Sequence, residues 1–216
     1  MNFTNFDVSS MPDIRSSDVT LIQRDGLWAG DDYIGGRTVN LSLEVQALDA
    51  DEFGAAVNLV MRAFSPGVSG ETQLRFRIPG LANGREAYVK ARTRKRSNPL
   101  DASFARLSCA FEIELFATDP LIYAGEETSV TLRKGIPTLV PIDGSRAAKP
   151  SIAFTNVVNP KLLDAEDGKT TFSHTGTGTF TVSGPNYTPG NRYITLTDSG
   201  PNVNATAVLK FRDTWV

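Results

Sequence analysis

Any chemistry in this chain would have to run through very few side chains. His174 is the only histidine and Cys109 the only cysteine among 216 residues. A Ser-His-Asp or Cys-His arrangement would need His174 as its base. That residue sits in "FSHTGTGTF", a polar strand or hairpin far in sequence from Cys109. No Gly-x-Ser-x-Gly elbow occurs, and one histidine with one cysteine cannot build a zinc site without at least two carboxylates. The stretch "DAEDGK", Asp164 to Lys169, has the acid density of a calcium loop. It lacks the alternate-position ligands and the terminal bidentate glutamate, and it reads as a hairpin turn, because Asp167-Gly168 tolerates the positive φ of a tight turn. Gly176 and Gly178 in "TGTGT" have no strand-to-helix context and so make no phosphate cradle. A glycosidase-type pair would need two of the 24 acids to converge in space, and no pair stands out. The expectation is a protein that is not an enzyme, with no catalytic residue, cofactor or metal.

The elements around these residues are mainly β. Val39, Leu41, Leu43 and Val45 alternate with Asn40, Ser42 and Glu44, the period of a half-buried strand. Leu107, Cys109, Phe111, Ile113 and Leu115 do the same, which places the cysteine on an apolar face as a small core hydrophobe. A shorter alternation runs through Leu74, Phe76 and Ile78. One helix is predicted, from Asp49 to Phe64, with Phe53, Val57, Val60, Met61 and Phe64 at helical spacing. Asp49 followed by Glu52 supplies an N-terminal cap, and "SPG" at 65–67 stops it.

After "FATDPLIYAGEETS" the composition shifts towards Thr, Ser, Gly and Asn, which predicts two domains, 1–125 and 126–216. The first holds 13 basic and 16 acidic side chains, the second 9 and 8. The second shows only short strands between Pro, Gly and Asn turns, as in a β-sandwich. The whole chain is slightly acidic, net −2, which argues against a general nucleic-acid binder. A single cysteine excludes an intrachain disulfide. No apolar run nears the roughly 18 residues of a membrane span, and no charged-then-apolar leader opens the chain. A soluble protein made in a cytoplasm is expected.

Two surface features remain. Lys90, Arg92, Arg94 and Arg96 in "REAYVKARTRKR" are spaced by two, so a strand would project all four to one side. Such a row suits solvent or edge protection, an acidic face of a neighbouring subunit, or nucleic acid. The second feature is "GLWAGDDYIGGRTVNLSLEV", residues 26–45. Gly35 and Gly36 make the turn into the Val39 strand, leaving Trp28, Asp31, Asp32 and Tyr33 to face another protein. Asp25, Asp31 and Asp32 complement the basic row in charge.

In order along the chain, "IRSSDVTLIQRDGLWAGDDYIGGRTVNLSLEV", the helix, "QLRFRIPG", "AYVKARTRKR", "CAFEIELFATDPLIYA", "NVVNPKLLDAEDGKTTF" and "LKFRDTWV" resemble the distal tail proteins of siphophages. The likeness is to the form found in actinobacterial phages and prophages. It implies a ring-forming, β-sandwich-like first domain with one helix and a smaller, galectin-like second β-sandwich. It also implies a virion structural protein at the tail tip, a hub joining the tail tube to the receptor-binding apparatus. The implied partners are other copies of the chain in a hexameric ring and other tail proteins, with no specific nucleic acid and no membrane. Ring closure needs a heterologous interface, for which Trp28, Asp31, Asp32, Tyr33, Lys90, Arg92, Arg94 and Arg96 are the candidates. Two alternatives stand beside this reading. One is a different tail or baseplate adaptor. The other is a carbohydrate-binding module in 126–216, with Tyr187 or Tyr193 either a sugar platform or part of the core.

Overall fold

The computed structural model describes residues 2–22, 24–67 and 70–216. The chain is mainly β. Contacts divide it into two units. The first comprises 1–74 and 89–121; the second comprises 75–88 and 122–216.

The first unit opens with β1 (Asn2–Asp7), then four short strands β2 (Ile14–Ser16), β3 (Val19–Thr20), β4 (Leu27–Trp28) and β5 (Asp32–Ile34). There follow β6 (Arg37–Gln46), α1 (Ala50–Ala63), β7 (Thr72–Phe76), β8 (Ala87–Ser97) and β9 (Ser108–Ala117). Strands β7 and β8 straddle the unit boundaries. An antiparallel sheet runs in the order β1-β6-β9-β8. Its long central pair, β6 with β9, matches Val39 with Leu115, Leu41 with Ile113, Leu43 with Phe111 and Val45 with Cys109. All eight are at most 4% exposed, so the two alternations share one buried face because their register agrees. Burial pushes the Cys109 thiol pKa up, with Asp101 and Glu44 adding to the effect, which suits a core residue rather than a nucleophile.

The cap of α1 forms as the sequence predicts: the Asp49 side chain accepts a hydrogen bond from the Glu52 amide at 2.8 Å. Phe53 and Val60 are buried, and the Phe53 ring meets Phe104 edge-on at 5.5 Å. Met61, expected on the same face, is 40% exposed. At ~100° per residue it lies about 70° round the helix from the stripe that Phe53, Val57, Val60 and Phe64 define.

Arg37 is the largest fully buried side chain in the protein. Its Nε donates to the Pro120 carbonyl at 2.7 Å, and its Nη1 donates to the carbonyls of Val8 at 2.7 Å and Ser10 at 2.6 Å. One guanidinium thus ties the segment after β1 and the turn after β9 to the start of β6. Burial lowers its pKa from the ordinary arginine value, with the Asp7 carboxylate pulling the other way. The glycines before it serve close approach rather than a turn. Neither Gly35 nor Gly36 has positive φ. A Cβ on Gly36 would stand 2.3 Å from the Phe116 ring, and one on Gly35 2.9 Å from the Asp13 carbonyl oxygen.

The second unit adds β10 (Ile122–Ala124), β11 (Thr128–Arg133), β12 (Thr138–Ile142), β13 (Ser151–Val158), β14 (Lys161–Asp164), β15 (Thr170–Ser173), β16 (Thr177–Ser183), β17 (Gly190–Thr197), β18 (Thr206–Phe211) and β19 (Thr214–Trp215). Two four-stranded antiparallel sheets, β11-β18-β13-β16 and β12-β17-β14-β15, enclose one core. Leu132, Ile152, Phe154, Leu162, Ile194, Leu196 and Leu209 are completely buried in it. The Asp164–Lys169 stretch closes the β14–β15 hairpin, with Gly168 at φ +67°. Residues 75–88 join this unit through charge and stacking. Arg85 reaches Asp143 at 3.1 Å and the buried Asp213 at 3.2 Å, while Asp213 also accepts from the Asp143 amide. Tyr88 stacks on Tyr123 at 5.4 Å.

Two outcomes test these anchors. Arg37→Ala leaves three backbone carbonyls without their donor and a hole where the guanidinium sat. It is expected to destabilise the protein by about 3 kcal/mol, read by denaturant unfolding, with Arg37→Lys rescuing little because one ammonium cannot span the three positions. In the second unit Asp198 has a fully buried side chain paired with Lys134. Burial alone would raise its pKa, but hydrogen bonds from Lys134 and from the Val158 and Gly200 amides outweigh that and hold it below the usual carboxylate value. A depressed pKa gives stability that is present above the unfolded value and lost as pH falls through the folded one. Acid unfolding of wild type should therefore show a component below the ordinary aspartate range that Asp198→Asn removes.

Candidate functional site

The residues that could do chemistry are dispersed. Cys109 is in the first unit's core. His174 lies between β15 and β16 in the second unit, half-buried with its ring 4.9 Å from that of Phe180. Within 164–169 the acids bond to their own turn: Asp164 accepts from the Glu166 amide and pairs with Arg192, and Asp167 pairs with Lys169 at 2.9 Å. Among the described residues no group of three or more His, Cys, Asp or Glu could hold a metal ion.

What the first unit presents is a two-stranded arm built from residues 13–35. β2 pairs with β5 and β3 with β4, placing Ile14 opposite Ile34, Arg15 opposite Tyr33, and Val19 opposite Trp28. Between the two ladders the side chains take over the backbone's bonding. The Ser17 hydroxyl lies 3.0 Å from the Asp31 amide and 3.1 Å from its carbonyl, and Asp18 accepts from the Gly30 amide at 2.9 Å. A Cβ on Gly30 would be 2.3 Å from the Ser17 carbonyl oxygen, so only glycine lets the strands approach here. Ser16 donates to Asp32. The arm's strands are thus bonded to each other, and its apolar side chains are in water: Val19 is 62% exposed, Leu27 60%, Trp28 65% and Tyr33 58%. Asp31 and Asp32 are exposed beside them.

The basic strand is not the single row its spacing suggests. Up to Thr93 the alternation holds, with Val89 and Ala91 buried and Lys90 and Arg92 exposed. The register against β9 then shifts between Thr93 and Lys95, and a bulge of this kind moves every later side chain to the opposite face. Arg96 consequently pairs with the buried Ile113 position and donates to the carbonyls of Met61 and Phe64, closing the C-terminal end of α1. Arg94 lies 4.5 Å over the Phe116 ring. The exposed cations are therefore Lys90, Arg92, Arg94 and Lys95, not Arg96.

In the second unit, the two tyrosines that could form a sugar platform separate cleanly. Tyr187 is 3% exposed, its hydroxyl is 3.3 Å from Thr171 Oγ1, and burial raises its pKa. It is a core residue. Tyr193 is 46% exposed on β17. An open cleft of about 390 Å³ lies at the other end of that strand, lined by Asn159, Lys161, Thr197, Asp198 and Ser199. Nothing in the sequence pattern announced it, because its walls come from two segments far apart in sequence, 159–161 and 197–199.

No protein-family model matches the sequence, and no curated protein sequence matches it. The fold does find a likeness among solved structures, in the Dit (gp 19.1) protein of SPP1, described as a paradigm of the hub adsorption apparatus in phages infecting Gram-positive hosts. The two superpose with a TM-score of 0.65 over 100% of this chain and 93% of that one, at 14% sequence identity. The architecture described above is thus shared, over its full length, with the SPP1 Dit protein.

Proposed function

We propose that this chain is a structural protein of a phage tail, the hub at the tail tip that joins the tube to the receptor-binding apparatus. The observation that carries the reading is the full-length correspondence of fold with the SPP1 hub protein. It is supported by an arm that holds Trp28 and Tyr33 in water. A monomer leaves such side chains exposed at a cost in solubility, whereas an assembling subunit buries them. In this reading residues 1–125 form a hexameric ring in the virion and 126–216 decorate its outside. The interface is heterologous. Trp28, Asp31, Asp32 and Tyr33 of one copy meet Lys90, Arg92 and Arg94 of the next, and Arg96 supports that strand from behind through α1. Other tail proteins bind the two faces of the ring, and the work is mechanical, without catalysis.

Charge complementarity makes the interface testable by reversal. Arg92→Glu with Arg94→Glu is expected to lower the oligomer mass measured by light scattering, and Asp31→Lys with Asp32→Lys to do the same. Combining all four restores assembly if the two patches meet each other. Unchanged mass in both charge-reversed pairs rules out this interface. Trp28→Ala should weaken assembly by about tenfold or more without lowering the thermal midpoint of the dissociated chain.

A further inference from the structure

We propose that residues 75–88 are a strap on the second unit, closed against strain in its own tip and latched by the ion pair between Arg85 and the buried Asp213. The strap opens as one piece before either core does. This goes beyond the tail-hub reading and does not depend on ring assembly.

The chain leaves the first unit after Leu74 and returns to it at Val89. Between those points it passes through a tip in which Ala82 and Asn83 both take left-handed conformations, at φ +49° and +55°. Asparagine enters that region readily, but alanine does not, because its Cβ crowds the following carbonyl. One such alanine works against closure by roughly tenfold. The tip keeps its shape through short bonds of its own. The Gly84 amide donates to the Leu81 carbonyl at 2.9 Å, and the Arg85 amide to the Ala82 carbonyl at 3.1 Å. Arg77 Nε adds a third bond, to the Gly84 carbonyl at 2.8 Å. Ala82 is 3% exposed, so the tip is seated rather than free. Strained residues of this kind persist where the surroundings over-determine the backbone, and they gather at elements that move.

The hold comes where the strap returns. Arg85 bonds Asp143 and Asp213, with 43% of its own side chain exposed and only 1% of Asp213. Asp213 Oδ1 also accepts from the amides of Asp143 at 3.1 Å and Gly144 at 3.4 Å. The cation paired with this buried carboxylate therefore belongs to the strap, and lifting the strap leaves the charge without it. That costs far more than parting an exposed pair. Three other contacts close at the same time. The Glu86 carbonyl accepts from the Gly125 amide at 2.7 Å, Ala87 pairs with Ala124, and Tyr88 pairs with and stacks on Tyr123.

The core of the sandwich, from Leu132 to Phe211, includes none of residues 75–88. It closes without the strap, whereas the strap is held by an ion pair, one stacked ring and a few backbone bonds. A segment with so little buried apolar contact lies at the low end of local stability. Because Asp213 also bonds the Asp143 and Gly144 amides, its loss of Arg85 loosens that turn too. A latched strap thus differs from a fraying loop, which frees only its own amides.

The test is amide hydrogen exchange of the full chain, followed residue by residue by NMR, with thermal unfolding to confirm that each variant is folded. In the wild type the amides of Gly84, Arg85, Gly125, Asp143 and Gly144 should share one opening, at least about tenfold more frequent than that of the β13–β18 ladder. Arg85→Ala should speed exchange of all these amides about tenfold or more and leave the β6–β9 ladder within about twofold. Ala82→Gly relieves the left-handed strain without touching the ion pair. It should slow the same amides about threefold, less than the full strain because glycine is freer in the open state. Amides that open independently overturn the proposal, as does an Arg85→Ala effect confined to Gly84 and Arg85. If Arg85→Ala does not fold, Ala82→Gly decides alone, and unchanged or faster exchange in that variant overturns the proposal. Either result leaves the oligomer-mass experiment, and the hub reading it tests, untouched.

Discussion

The first unit depends on a charge placed where charges are expensive. Burying a guanidinium costs several kcal/mol unless its donors find acceptors. Arg37 finds them on the backbone for Nε and Nη1, in three carbonyls from Val8, Ser10 and Pro120, none of which belongs to a regular strand pairing with β6, while its buried Nη2 has no hydrogen-bond partner. These segments would otherwise have polar groups to satisfy at the edge of a core that includes Val8 and Ala117. The arginine satisfies them and fixes their positions together. Its location also sets the glycines, since the strand carrying it must pass close to Phe116 and Asp13, with no room for a side chain at either step. The arm at 13–35 departs from this point, so its base is anchored by the same group.

A second anchor works on the same principle in the other unit. Asp213 is buried, and it is neutralised by Arg85, 128 residues earlier in the chain. Arg212, its neighbour, donates to the carbonyls of Ala124 and Gly125 at 2.6 and 2.7 Å and lies over the Tyr88 ring. The last strands and the 75–88 excursion are thereby tied to the entry of the second unit. Asp213 and Arg212 bond backbone groups of turns and strand ends, while Arg85 supplies the charge that balances Asp213.

What could be read from the sequence was what local periodicity controls. The β6 and β9 alternations, the Asp49 cap and the Asp167-Gly168 turn depend on neighbours within a few residues, and each appears where it was expected. Arg96 shows the limit. Its spacing from Arg94 says outward, but the bulge after Thr93 leaves no mark in the residue types, and the side chain turns inward to the end of α1. Tyr187 and Tyr193 sit in similar Pro, Gly and Asn surroundings; only cross-strand partners decide that one is core and the other surface. The roles of Arg37 and Asp213, and the cleft beside Asp198, depend on contacts between residues far apart in sequence, and a single sequence carries no pairing information at that range.

The arm and the cleft beside β17 are each held by side-chain bonds to neighbouring backbone. Association loses most of its potential affinity to the ordering of loops and side chains. Here side-chain hydrogen bonds already join these segments in the free protein. Ser17, Asp18 and Asp32 bond the arm's strands to one another, and Asn159, Ser199 and Asp198 bond the cleft's turns, before any partner arrives. Among the hydrophobic side chains left in water, Trp28 and Tyr33 on the arm and Tyr193 on the sheet are aromatic. Such residues offer large contact area with only two rotatable bonds to freeze.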